Sequence, residues 1–233
     1  MRHTRVARRV LTAALAVVGI LLAASALVVL VLRWADPPTS AFMLEARAAE
    51  GPLIHQHWVP IERISPWLAL AVVASEDQRF PNHFGFDLEA IAEALHEHAE
   101  GEGLRGASTI SQQVAKNLFL WPGRNLVRKG IEAWFTVLLE TFWSKRRILE
   151  VYLNIAQFGP RTFGAGAAAE RYFHQSPARL SRRQAARMAV VLPDPDGLSV
   201  SHPSSYVLQR ERWVLGQMSQ LGGRSYLADM LSR

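Results

Sequence analysis

The chain contains no cysteine among its 233 residues. That excludes disulfide staples, thiolate nucleophiles and cysteine-based zinc sites. The absence is compatible with an oxidising exterior without requiring one. No run alternates apolar and polar residues with the period of a strand, and no internal repeat is present, so sheet-based and solenoid architectures are disfavoured. His96-Glu97-His98 lacks the four-residue histidine spacing of a zinc-binding helix. Gly164–Ala169 matches the pattern GxGxxA, but no strand precedes it and no βαβ unit surrounds it. A dinucleotide site is therefore not indicated, and small residues there suit close helix packing.

Charge is absent from one long stretch. Val10–Leu32 is 23 residues of Ala, Val, Leu and Ile with one Gly, one Thr and one Ser, enough to cross a hydrocarbon core of about 30 Å. Arg2, Arg5, Arg8 and Arg9 precede it, whereas Arg33 and then Asp36 follow. This bias predicts a basic cytoplasmic tail (1–9), an uncleaved signal-anchor (10–32) and an extracytoplasmic remainder. Ala24-Ser25-Ala26 offers a rival reading as a signal-peptide cleavage site, but the apolar run continues past it to Leu32, longer than an ordinary signal core. The net charge is +6. A basic domain tethered outside a membrane points to anionic lipids or a phosphorylated lipid substrate and away from nucleic acid.

After the apolar run, residues 33–60 carry Pro37-Pro38, Gly51-Pro52 and Pro60 with little periodicity, which predicts a juxtamembrane linker. Residues 61–233 read as one mostly α domain of successive helices. The expected helices are a Pro66-led one to Glu76, one capped by Asp87 that ends near Gly101, and one capped by Ser108 or Thr109 that ends near Phe119. Further helices are expected over Leu126–Phe142, Lys145–Phe158 behind Ser144, Phe163–Phe173, Arg182–Leu192 behind Ser181, and from Pro203 to Leu221. Glu100–Gly106 is Gly-rich and charged and reads as a mobile loop.

Several constellations carry chemical content. Ser75–Asp87, SEDQRFPNHFGFD, puts Glu76 and Asp77 at the end of the apolar run Leu68–Ala74. An acid at the end of an apolar helix loses water contact, which raises its pKa and readies it as a general base. Solvated acids at a helix end are the plainer alternative. Thr109, Gln113 and Lys116 recur at i, i+4 and i+7, a polar stripe suited either to a sugar and a phosphate or to water. Arg128, Lys129 and Glu132 share one turn, followed by very apolar turns through Trp143. Such a helix is expected to be buried, with its charges at the mouth of a cleft. Glu150 and Asn154 are four apart and read as a positioning pair.

Taken together these segments resemble, in order, the peptidoglycan glycosyltransferases of family 51, over roughly residues 64–221. The first motif is carried by Glu76-Asp77, Phe80, His83, Gly85 and Asp87, and the second by Gly106–Ile110 with Gln112, Gln113, Lys116 and Asn117. The third is carried by Arg128, Lys129 and Glu132. Lys145, Ile148–Glu150, Tyr152–Asn154 and Phe158-Gly159 carry the fourth, continued by Gly164 and Tyr172-Phe173. Leu180, Ala185-Ala186 and Pro193 carry the fifth. The chain looks like the monofunctional, single-span branch, with no transpeptidase domain following. Gln184 and Gln157 depart from the family pattern, which usually has Glu at the first position and, in bifunctional relatives, an aromatic residue at the second.

The resemblance implies a lysozyme-like helical fold and polymerisation of lipid II into β-1,4 glycan strands with inversion, releasing undecaprenyl diphosphate. Glu76 would be the general base and Glu132 the second catalytic acid, holding cations or a divalent metal. Asp77, Phe80, His83, Thr109, Gln112, Gln113, Lys116, Asn117, Arg128 and Lys129 would bind substrate, the cations by neutralising diphosphate. Mg²⁺ or Mn²⁺ is compatible through the diphosphate and Glu132, but no dedicated cage is readable. Implied partners are lipid II, the lipid-linked glycan, membrane lipids and other cell-wall synthesis proteins. The resemblance also implies that the membrane is the bacterial plasma (inner) membrane. Trp121, Leu118 and Phe119 could either dip into the bilayer or pack internally. A glycan hydrolase and a non-catalytic wall scaffold are the competing readings. The cations argue against the first and the intact acids against the second.

Overall fold

The computed structural model describes every residue except Met1, Pro52, 100–107, Arg124 and Arg233. The expected mobile loop at Glu100–Gly106 lies outside the described residues. The chain forms two units, Met1–Asp36 and Pro37–Arg233. The first is a single helix, α1 (Arg2–Val31). Its segment Arg8–Val31 is long and apolar enough to cross a membrane. Leu11, Leu15, Ile20 and Leu21 are each more than 60% exposed, so no protein core explains these residues.

The second unit is mostly helical, as the sequence predicts. Its first helix falls in the segment read as a linker. Helix α2 (Ala41–Glu50) is capped by Ser40, whose Oγ accepts from the Met43 amide at 3.1 Å. Met43 is its one buried apolar residue, too little to register as periodicity.

Helix α3 (Pro66–Glu76) is the centre of the unit, and Leu68–Ala74 are all buried. An unbroken apolar run suits a helix enclosed on every side. Ser65 is not its side-chain cap, because its hydroxyl instead donates to the Leu180 carbonyl at 2.8 Å. Helix α4 (Leu88–Ala99) starts at Asp87, whose Oδ1 accepts from the Ala90 amide. Helix α5 (Ile110–Phe119) opens with a reciprocal capping box between Thr109 and Gln112. Helices α6 (Leu126–Phe142) and α7 (Lys145–Ile155) follow, capped by Asn125 and Ser144.

Helix α7 stops three residues short of the expected Phe158. Gln157–Gly159 leaves it to form strand β1, paired antiparallel with β2 (Thr162–Phe163). Two strands this short show no period-2 signal in sequence. Helix α8 (Gly164–Phe173) packs closely on the segment before α3: a Cβ on Gly166 would come within 2.4 Å of His57 and 2.7 Å of Val59. The small residues of the GxGxxA pattern are therefore packing residues. Helix α9 (Arg182–Val190) and α10 (Ser205–Gln220) pack against α3 and each other. Ser204, not Pro203, caps α10. Buried Glu211 of α10 accepts from Arg183 and Arg187 of α9, each at 2.6 Å. A short α11 (Ala228–Ser232) ends the described chain.

The expectation of a wholly buried α6 is corrected. Its buried face carries Arg128, Glu132, Thr136, Leu138 and Leu139. Leu126, Val127, Trp134 and Val137 are exposed. The Arg128–Glu132 pair faces inward with Leu138 and Leu139, and apolar side chains also face outward, unlike an ordinary surface helix.

The loop between α3 and α4 turns at Gly85. Its φ of +76° belongs to glycine, and a Cβ there would lie 2.7 Å from Thr136 Cγ2. Its carbonyl also accepts from Thr109 Oγ1 at 2.7 Å. Gly85→Ala is expected to cost about 1–3 kcal/mol from backbone strain and overpacking. Thermal denaturation would check this, and an unchanged midpoint would contradict it.

Candidate active site

Glu76 ends α3, half-buried behind the core it closes. Its Oε2 accepts from Gln113 Nε2 at 2.9 Å and its Oε1 from Ser75 Oγ at 3.3 Å. Burial pushes the carboxyl above the ordinary glutamate range. The two hydrogen bonds, and the charges of Arg210 and Lys116, pull only partly in the other direction. A carboxylate that is short of water yet held by donors is the type of group that accepts a proton near neutral pH.

Asp77, the next residue, turns inward. It accepts from His83 Nε2 at 2.9 and 3.0 Å and from the Ile110 amide at 2.9 Å. It thus ties the loop after α3 to the start of α5. Phe80 is fully buried and carries the Lys145 ammonium 4.6 Å from its ring centre. Lys145 also pairs with Glu140 at 2.7 Å, and Glu140 accepts from Ser111. His83 lines a cavity of about 520 Å³ with Arg79, Asn82 and Phe84. Arg79 holds Asp87 and keeps its carboxyl below the usual aspartate range.

The cations gather around Glu132. Arg128 donates to Glu132 Oε2 at 2.7 Å and Lys129 to Oε1 at 2.5 Å. Arg128 and Glu132 are buried, while Lys129 stays nearly half exposed. Lys116 is half-buried, and burial lowers its pKa. The charges acting on it are Glu132, Arg128, Lys129 and Glu76, which puts Glu76 and the cations in one electrostatic neighbourhood. Asn117 Oδ1 and Arg128 Nε are buried without a hydrogen-bond partner.

The expected polar stripe is split by this arrangement. Gln113 and Lys116 reach the site. Thr109 and Gln112 are buried and occupied with each other's backbone. They were expected to touch substrate; in the structure they fix where α5 begins.

The sequence model of the transglycosylase family matches residues 47–219. This chain belongs to that family. A protein named biosynthetic peptidoglycan transglycosylase from Pseudomonas putida strain F1 is 54% identical over 213 residues, covering 89% of this chain and 90% of the relative. Proteins of the same name are similar in Pseudomonas entomophila strain L48, at 54% identity over the same shares, and in Pseudomonas syringae pv. syringae, at 51% over 215 residues and 90% of this chain.

Two groups beside this candidate site, Phe42 and Arg210, escaped sequence reasoning, and a third, Tyr152, was read only as part of the fourth motif, without a role. Phe42 of α2 lies with its ring centre 5.4 Å from the Lys116 ammonium. Arg210 of α10, set over the Trp213 ring at 3.8 Å, acts on Glu76. Tyr152 of α7 donates to Gln113 Oε1 at 2.9 Å. All three come from elements distant in sequence from Glu76, and only the Ser40 cap signal could have flagged the first.

Glu150 and Asn154, read as a positioning pair, grip the chain ahead of α3. The Asn154 side chain exchanges two hydrogen bonds with the Val59 backbone, and Glu150 accepts from the Ile61 amide. Gln184 serves the capping box of α9, where an amide oxygen accepts as a carboxylate would. Gln157 donates to Asp196 at 2.9 Å. Both Glu132 oxygens already hold cationic side chains. No group of three or more His, Asp or Glu among the described residues can ligate an ion. This donor set does not fit a resident divalent metal, and no step is assigned to one.

Proposed function

We propose that this transglycosylase polymerises lipid II into β-1,4 glycan strands, with Glu76 as general base. The name of its relatives, biosynthetic peptidoglycan transglycosylase, supplies the reaction class. The observation that carries the assignment is the desolvated Glu76 carboxylate sharing one electrostatic neighbourhood with Lys116, Arg128 and Lys129.

In the proposed step, Glu76 removes the proton from the 4-hydroxyl of the acceptor GlcNAc. That oxygen bonds to the anomeric carbon of the lipid-linked donor strand from the face opposite the diphosphate. The bond from carbon to the diphosphate oxygen breaks, and its electron pair leaves with the diphosphate. Inversion follows from the single displacement. Lys116 and Arg128 neutralise the leaving charge, with Lys129 assisting and Glu132 holding the last two in place. His83 and Asp77 shape the acceptor side.

The substrates are confined to a membrane by their lipid tails. The apolar α1 anchors the enzyme in that membrane, with residues 1–9 cytoplasmic and the catalytic unit outside. The anchor raises the encounter rate through effective concentration. The exposed apolar side of α6, with Trp121 at 50% exposure, would rest against lipid. Leu118, in contrast, is buried, and Phe119 stacks on Phe135 with ring centres 4.4 Å apart, so these two serve internal packing.

Incubation with labelled lipid II and with purified sacculi separates synthesis from hydrolysis. Glycan ladders from lipid II and no release from sacculi are expected, and the reverse would favour the hydrolase reading. In the same assay, Lys116→Ala should raise the apparent KM for lipid II about tenfold or more, the value of one contact to a charged group. An unchanged KM would remove Lys116 from diphosphate binding.

A further inference from the structure

Tyr152 is fully buried on α7. Its hydroxyl donates to Gln113 Oε1, and the same amide donates from Nε2 to Glu76 Oε2, both at 2.9 Å. The three groups form a chain: phenol, amide, carboxylate.

The order of donors along this chain is set by chemistry. An amide can face a carboxylate with its NH₂ or with its oxygen, and only the NH₂ is attractive. Left alone, Gln113 could rotate its amide by half a turn. A neutral phenol always has a proton to give, and giving it to Oε1 leaves Nε2 aimed at Glu76. Burial and the nearby charges of Glu76 and Asp77 push the Tyr152 hydroxyl well above the ordinary tyrosine range, so it stays a donor at any working pH.

We propose that Tyr152 is a positioning residue for the transfer reaction: through Gln113 it fixes the hydrogen bond that keeps the Glu76 base charged in its water-poor site. The inference rests on the reading of Glu76 as base. The other charges that face Glu76 are Lys116 from α5 and Arg210 from α10, with Asp77 adjacent in the chain but turned to His83 and Ile110. From α9, Arg183 and Arg187 are paired with Glu211. None of these groups touches Tyr152 or Gln113 by a hydrogen bond, so removing the phenol hydroxyl leaves them in place.

The test is Tyr152→Phe in the full-length, membrane-embedded enzyme, assayed with lipid II across pH. Phe fills the same volume, and a melting curve checks the fold. Without the phenol the amide is free to turn, the carboxylate loses its fixed donor, and its proton affinity rises. The base must be charged to act, so the acidic limb of the kcat profile should move to higher pH. At a fixed pH on that limb kcat should fall about tenfold, the value of one hydrogen bond to a charged group, with KM for lipid II little changed. Gln113→Leu should shift the same limb, and the double variant should shift it no further than Gln113→Leu alone.

An unmoved limb in Tyr152→Phe, or fully additive shifts in the double variant, would overturn the inference. Glu76→Gln in the same assay separates the two failures. If it is inactive while the Tyr152→Phe limb is unmoved, only the role of Tyr152 falls. If it remains active, the base assignment falls and this inference falls with it.

Discussion

Glu76→Gln should abolish glycan polymerisation, lowering turnover by roughly a thousandfold or more, within the range attributed to general base catalysis. Gln keeps the shape, its oxygen can accept from Gln113 Nε2 in place of Oε2 while its NH₂ faces the Ser75 hydroxyl, and it cannot take a proton. The same substitution should raise thermal stability at neutral pH. Burial raises the Glu76 pKa above its unfolded value. A group shifted in that direction favours the folded state most at low pH, and that contribution is lost as pH rises through the folded-state value. At pH 7 the wild-type enzyme therefore carries a charged carboxylate in a poor environment, and the neutral amide removes that cost. The gain should shrink as pH falls and close below about pH 4, where glutamate is protonated in both states. Activity of the wild type should accordingly rise with pH across a window above the ordinary glutamate range. On the alkaline side it should fall earlier than an ordinary lysine would dictate, because burial lowers the pKa of Lys116. Melting curves and rate profiles over pH check both directions, and near-normal turnover in Glu76→Gln would remove Glu76 from the base role.

Glu132→Gln is the second large effect expected. Glu132 is 2% exposed and is the acid that the Arg128 guanidinium and the Lys129 ammonium share. Removing its charge leaves Arg128 buried without a counter-ion. Breaking a buried pair in this way costs about 3–5 kcal/mol, so the melting temperature should drop by many degrees. Turnover should fall by about a hundredfold, because the cations that meet the leaving diphosphate lose the group that aims them. Inorganic pyrophosphate supplies the missing negative charge. It should therefore raise the melting temperature of Glu132→Gln more than that of the wild type, by mass action on the folded state. Equal shifts in the two proteins would show that Glu132 does not organise the diphosphate cations.

The helices were legible because their ends are written locally. Ser144, Ser181 and Asp87 cap where the sequence puts them, and of the two candidates Ser108 and Thr109 it is Thr109 that caps α5. The two-residue and three-residue strands were not legible, since so few residues carry no period. Helix α2 was hidden among prolines and glycines with a single buried apolar residue. The inward charge and outward apolar surface of α6 were misread as full burial. Composition reports that a helix is apolar, and does not report which side faces water.

The same distinction holds at the site. Glu76 was flagged because it closes seven apolar residues, but a solvated helix end fitted the same pattern, and only the packing around it decided that the carboxyl is short of water. The sequence by itself determined the helical class, the apolar N-terminal helix and the ordered set of acids and cations, since each depends on neighbours a few residues away. The tertiary structure alone decided which polar groups face the site and which are spent on caps: Gln113 and Lys116 inward, Thr109 and Gln112 on the start of α5. It alone brought Phe42, Tyr152 and Arg210 to Lys116, Gln113 and Glu76. The physical reason is range: caps and periodicity act within a few residues, whereas a hydrogen bond from α7 to α5 exists only once the core has packed the two helices together.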